Sequence, residues 1–111
     1  RQLGANDIIL DPGFGFAKTV EQNWVLLREM DRFGKFGKRI LAGLSRKSFL
    51  YKPLGITPDD ALTATQIADF IALDKGADIL RVHDVAEASR TIRLFSLYRY
   101  SSGGSPSQKP V

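Results

Sequence analysis

The chain has 111 residues and no cysteine, one histidine, one methionine and one tryptophan. Without thiols, a disulfide framework and a thiolate metal site are excluded. No apolar run approaches the roughly 18 residues of a membrane span. No signal-peptide pattern stands at the start, so the expected setting is cytoplasmic, with no membrane partner. Strong charge of one sign is lacking too. The formal net charge of +4 favours an anionic ligand, but it is modest for nucleic acid, and the basic residues are scattered rather than clustered. There is also no initiator Met. The chain opens on Arg1-Gln2-Leu3-Gly4 with a strand close behind, as expected of a piece of a longer protein.

What is present suits one small domain, with 43% hydrophobic and 25% charged residues. Residues 1–100 read as that domain, and the Ser/Gly/Pro-rich residues 101–111 read as a disordered tail. Asp7-Ile8-Ile9-Leu10-Asp11 is a short apolar run stopped by Pro12-Gly13, as expected of a strand buried on both faces. Thr19 with Gln22 forms a capping box, and Val20, Trp24, Leu27 and Met30 make the apolar face of the helix it opens. Gly34 and Gly37 close that helix. Arg39-Ile40-Leu41-Ala42-Gly43 is a second strand.

Thr57-Pro58-Asp59-Asp60 then marks the start of a helix with Thr57 as its cap. Leu62, Ile67, Ala68 and Ile71 are its expected core positions, and Gly76 its end. Residues 78–83 are a third strand. A second capping box, Asp84 with Glu87, opens a last helix with a stripe of Val85, Ala88, Ile92, Phe95 and Leu97 or Tyr98. The order is β-α-β-α-β-α in units on the order of 30 to 40 residues, the repeat of a (β/α)₈ barrel. Three such units fit either a small open doubly wound sheet or part of a barrel.

In a parallel sheet all strand C-termini lie on one side, where α/β proteins gather their ligand-binding groups. Asp11, then Ser45-Arg46-Lys47-Ser48, then Arg81, His83 and Asp84 stand at those ends. They suit a ligand with paired N–H donors at one end and an anion at the other. Each also has a plain structural reading. Asp11 before Pro-Gly is a turn former. Phe14 and Phe16 are loop anchors. Arg46 and Lys47 form a solvated edge, and His83 is a hydrogen-bonded structural residue. Arg81, inside the apolar run Ile79-Leu80-Arg81-Val82, is harder to place without a partner.

Asp11-Pro12-Gly13-Phe14-Gly15-Phe16, Gly43-Leu44-Ser45-Arg46-Lys47-Ser48 and Leu80-Arg81-Val82-His83-Asp84 resemble, in order and spacing, the last three signatures of the dihydropteroate synthase family. The resemblance covers roughly residues 5–100. It implies a (β/α)₈ TIM barrel of which this chain holds the last three β/α units, strands 6–8. It implies condensation of 6-hydroxymethyl-7,8-dihydropterin pyrophosphate with p-aminobenzoate, releasing pyrophosphate, with sulfonamides as inhibitors.

By the same resemblance Asp11 accepts two pterin N–H bonds and Lys47 donates to the pterin carbonyl. Arg81 stacks on the pterin, and Arg81 with His83 steadies the pyrophosphate. Phe16 lines the p-aminobenzoate pocket, and Ser48 receives the carboxylate. Lys47, Arg81 and His83 are the expected catalytic residues. Mg²⁺ accompanies the pyrophosphate, with its protein ligand outside this chain. A homodimer, or pairing with the missing N-terminal part, is expected, and the chain alone is expected to be inactive. Rival readings are a pterin-binding methyltransferase barrel acting on methyltetrahydrofolate, and a non-enzymatic module that binds a phosphorylated ligand.

Overall fold

The computed structural model describes residues 8–15 and 18–102. Three strands, β1 (Ile9–Leu10), β2 (Arg39–Gly43) and β3 (Ile79–Arg81), form a parallel sheet in the order β1-β2-β3. Ile9 pairs with Arg39 and Leu10 with Ile40. Across the other edge Leu41, Ala42 and Gly43 pair with Ile79, Leu80 and Arg81. Asp78 pins this second register at its start. Its amide donates to the Ile40 carbonyl at 2.8 Å, and its Oδ2 accepts from the Ile40 amide at 2.9 Å.

Helices α1 (Val20–Arg28), α2 (Ser48–Tyr51), α3 (Leu62–Asp74) and α4 (Val85–Tyr100) link or follow the strands, with 3₁₀ turns at Met30–Phe36, Lys52–Leu54 and Pro58–Asp60. Central β2 is covered best. Ile40 and Ala42 join Phe14, Leu27, Met30, Leu44, Phe49, Leu50, Ala68 and Ala72 in one buried cluster. Ala68 and Ala72 are α3's contribution to this cluster, small residues that let it pack closely.

Local signals hold where the partners are local. Thr19 Oγ1 accepts from the Gln22 amide at 3.0 Å, and Gln22 Oε1 accepts from the Thr19 amide at 2.9 Å, so the first capping box is complete. Gly76, at φ of 100°, lies just past α3 as expected, but α1 already stops at Arg28, so Gly34 falls inside the 3₁₀ turn Met30–Phe36 and Gly37, at φ of 65°, closes that turn rather than the helix.

Other expectations need correcting. β1 is shorter than expected and not buried on both faces, since Ile8 and Ile9 are exposed. Among the described residues β1 is an edge strand, hydrogen-bonded only to β2. Trp24 is exposed rather than core, although its indole N–H is used. The segment at 57–60 does not run into α3. It closes a separate 3₁₀ turn, and α3 begins at Leu62 with Ala61 in the cap position. Ile67 is exposed, and α3 buries Thr65, Ala68, Asp69 and Ala72 instead. On α4, Val85, Ile92, Leu97 and Tyr98 are exposed, while Ala88, Thr91 and Phe95 are buried. Thr91 can sit inside because its hydroxyl donates to the Glu87 carbonyl at 3.0 Å. The expected tail falls largely outside the described residues, and α4 runs through Tyr100.

Candidate functional site

The C-terminal ends of the strands form one rim. Asp11 follows β1, and its Oδ1 accepts from the Gly13 amide at 2.9 Å, an Asx-type turn that fixes the carboxylate. Its Oδ2 lies 3.9 Å from Arg81 Nη2. The loop at 12–15 is held from beneath. Phe14 is buried and its ring stacks on Phe49 at 6.0 Å between centroids. Buried Asn23 accepts from the Gly15 amide at 2.7 Å and donates to the Thr19 carbonyl at 3.0 Å. Lys18 Nζ donates to the Gly13 carbonyl at 2.9 Å.

Lys47 caps α2 and reaches back over this loop, donating from Nζ to the Phe14 carbonyl at 2.6 Å. Gly15, at φ of 89°, makes room, because a Cβ there would meet the Lys47 stem at 3.3 Å. Burial pulls the Lys47 ammonium pKa below its usual value. The Arg81 and Lys18 charges act in the same direction and Asp11 against it. Ser48 is the first residue of α2 and is half-buried beside Lys47. The turn that follows is anchored by Trp24, whose Nε1 donates to the Phe49 carbonyl at 3.1 Å and whose ring meets Phe49 edge-on at 5.4 Å.

Arg81 ends β3 and is not buried in the sheet. Its side chain is 58% exposed and lies across Gly43. A Cβ at Gly43 would stand 2.7 Å from Arg81 Nη2, so a glycine in β2 lets the guanidinium cross the strand. His83 is exposed two residues on. Asp84 occupies the cap position of α4 but makes no capping hydrogen bond, so the second capping box is not formed. Its carboxylate is taken by Arg46, with Nε to Oδ2 and Nη2 to Oδ1 both at 3.1 Å. The hydrogen bond from Arg46 pulls the Asp84 pKa below the usual carboxylate value, and the nearby His83 adds to the effect.

The structure therefore brings Asp11, Lys47, Ser48, Arg81 and His83 to one rim. Phe16 lies outside the described residues. Sequence reasoning missed Lys18, Asn23, Gly43 and Thr65, and left Arg46 without a role. Only Gly43 carried a signal, as a glycine at the end of an otherwise apolar strand. Asp69 was missed as well. It is buried on α3 beneath the loop that carries Lys47, and its Oδ1 has no hydrogen-bond partner among the described residues. Desolvation pushes its pKa up to about 7. It shares a cavity with Ser45, Thr65, Val82 and Asp84 that is too tight for a water molecule. Among the described residues no group of three or more His, Cys, Asp or Glu gathers to hold a metal.

A rim that offers one oriented carboxylate among several cations fits a ligand with an N–H face and a negative charge. Residues 2–83 match the family described as pterin binding enzyme, and the chain belongs to that family. Its relatives are more particular. The dihydropteroate synthase of Haemophilus influenzae is 42% identical over 89 residues, 80% of this chain and 32% of its own length. That of Escherichia coli K12 is 39% identical over 92 residues, 83% of this chain and 33% of its own. The Yersinia pestis dihydropteroate synthase solved with a pterine–sulfa conjugate superposes with a TM-score of 0.86 at 34% identity, covering 88% of this chain and 38% of that one. The 7,8-dihydropteroate synthase of Vibrio fischeri gives 0.82 at 44% identity, with 85% and 35% covered. The chain thus spans about a third of the length of the curated relatives it matches.

Proposed function

We propose that this chain supplies the last three β/α units of a (β/α)₈ dihydropteroate synthase. The intact protein would condense 6-hydroxymethyl-7,8-dihydropterin pyrophosphate with p-aminobenzoate and release pyrophosphate, in the cytoplasm. The observation that carries this reading is the meeting of Asp11, Lys47 and Arg81 at one rim. A carboxylate sits 3.9 Å from a guanidinium, and burial, with the Arg81 and Lys18 charges adding to it and Asp11 opposing, disfavours the charged form of the nearby Lys47, which an anionic ligand would restore.

Asp11, held by the Gly13 amide, would accept the pterin 2-amino and ring N–H donors as a planar pair. Lys47 would donate to the pterin carbonyl, and Arg81 would lie on the ring face, where a planar delocalised cation suits. The reaction breaks the bond from the pterin methylene carbon to the pyrophosphate oxygen and forms a bond from that carbon to the arylamine nitrogen. Negative charge grows on the leaving oxygen, so Arg81 and His83 would bind the transition state more tightly than the ground state. The arylamine attacks in its neutral form and needs no general base. Phe16 would line the p-aminobenzoate pocket, and Ser48 would receive the carboxylate.

Magnesium enters only as the counter-ion of the pyrophosphate. Its protein ligand would lie outside this chain, since Asp84 is committed to Arg46 and no group of three or more His, Cys, Asp or Glu gathers among the described residues. The exposed β1 edge supports a further proposal, that the chain works paired, with the missing N-terminal part of the barrel or with a second copy in a homodimer. The test is dihydropteroate formation by the intact protein and by residues 1–111 alone. Turnover by the first and none by the second is expected. Turnover by the isolated chain would refute the half-site reading.

A further inference from the structure

Arg46 is the one non-glycine residue with positive φ among the described residues, at 53°. It occupies the third position of a tight turn closed by the Lys47 amide donating to the Leu44 carbonyl at 3.2 Å. Such a position favours glycine or asparagine, so an arginine there must be held by its surroundings. Its own amide donates to Thr65 Oγ1 at 2.9 Å, which ties the turn to buried α3. Its guanidinium forks onto Asp84, and Nη1 donates to the carbonyls of Pro58 and Asp59 at 2.7 and 2.9 Å.

One side chain thus joins three segments that are remote in sequence: the turn after β2, the 3₁₀ turn before α3, and the loop after β3. The residue after Arg46 is Lys47, and the residue before Asp84 is His83. Lysine could not replace this clamp, since a single ammonium cannot serve two carboxylate oxygens and two carbonyls in one plane.

We propose that Arg46 is the positioning residue of the rim, fixing Lys47 and Ser48 on one loop against Arg81 and His83 on the other. Its guanidinium is taken up by Asp84 and by the Pro58 and Asp59 carbonyls, so it would act through its neighbours. The functional half of this inference rests on the synthase reading, whereas the clamp itself does not.

The test uses the intact protein carrying Arg46→Gly, which keeps the left-handed backbone and removes the fork, together with Arg46→Lys, Asp84→Asn and the double variant Arg46→Gly/Asp84→Asn. Amide hydrogen exchange over residues 45–51 should speed up by about tenfold or more in Arg46→Gly, while the melting midpoint moves by no more than about 4 °C. KM for p-aminobenzoate and for the pterin substrate should rise by about tenfold. Arg46→Lys should recover only part of this, and the double variant should be no worse than the poorer single variant, as expected of two residues acting as one unit.

Unchanged exchange over residues 45–51 in Arg46→Gly would overturn the clamp. Faster exchange with unaltered KM and kcat would overturn the positioning role. Should the intact wild-type protein form no dihydropteroate, the synthase reading fails by itself, and the exchange data still decide the clamp.

Discussion

Gly43→Ala separates the stability of this fold from the working of its rim. Gly43 does not use a left-handed backbone, so alanine is allowed there. The new Cβ would stand 2.7 Å from Arg81 Nη2 and 3.1 Å from Cζ and Nε. An ordinary contact needs about 3.5 Å or more, so the guanidinium must retreat by about 1 Å. It can, because it is the mobile end of a side chain that is 58% exposed. The 3.9 Å approach to Asp11 is then lost, but an exposed pair of this kind contributes only about 0–1 kcal/mol. Replacing glycine by alanine within a strand returns about 0.5–1 kcal/mol.

The two terms offset each other, and the unfolding free energy should change by less than about 1 kcal/mol. Ligand binding has no such offset. Displacing a charged donor from its acceptor costs about 1.5–3 kcal/mol, or about 10- to 100-fold in affinity. Urea unfolding and titration calorimetry with the dihydropterin pyrophosphate, both on the intact protein, read the two quantities separately. Full affinity in a stable Gly43→Ala protein would refute the assigned place of Arg81. A loss of stability above about 2 kcal/mol would mean that the guanidinium cannot retreat.

Asp69 predicts a pH dependence. Its folded pKa of about 7 lies above the ordinary aspartate value of 3.8, so the folded state holds the proton more tightly than the unfolded state. Its stabilising contribution is full below about pH 4 and is lost as pH rises through about 7, by about 2–4 kcal/mol after allowance for screening. Asp69→Asn should remove that decline, and parallel wild-type and Asn unfolding curves from pH 4 to 8 would show that another group is responsible. Lys47→Ala should weaken pterin binding in calorimetry by about tenfold or more with little loss of stability, since its hydrogen bond to the Phe14 carbonyl is only part-buried; unfolding instead would make Lys47 structural. Phe49→Ala removes a ring that is 1% exposed between Phe14 and Trp24 and should cost about 3–5 kcal/mol in denaturant titration. A loss below about 1 kcal/mol would mean that the pocket closes up around the missing ring.

Two similar sequence patterns show where reading the chain alone succeeds and where it stops. Thr19 with Gln22 and Asp84 with Glu87 both spell a capping box. The first forms because everything it needs lies within four residues. The second does not, because Asp84 is claimed by a guanidinium 38 positions earlier. Periodicity had no access to that competitor. The helix faces failed for a related reason. Ile67 and Val85 are large and apolar, yet the buried faces of α3 and α4 are mostly alanine and threonine, joined by Asp69 and Phe95. The rim was legible because strand ends are marked by short-range signals, and a parallel sheet then aligns them without further information. Asp69 gave no signal, since one acid in a helix looks alike whether it faces water or the interior.

The contact between Trp24 and Phe49 gives the chain an optical property. The sequence has one tryptophan, and its indole donates to the backbone of the residue immediately after Ser48. The ring is partly open to solvent, so its emission depends on how far water reaches it and on whether that hydrogen bond holds. A shift of the short turn that begins at Ser48 would therefore be reported in intensity and colour by a fluorophore built into this half of the site, without any added dye.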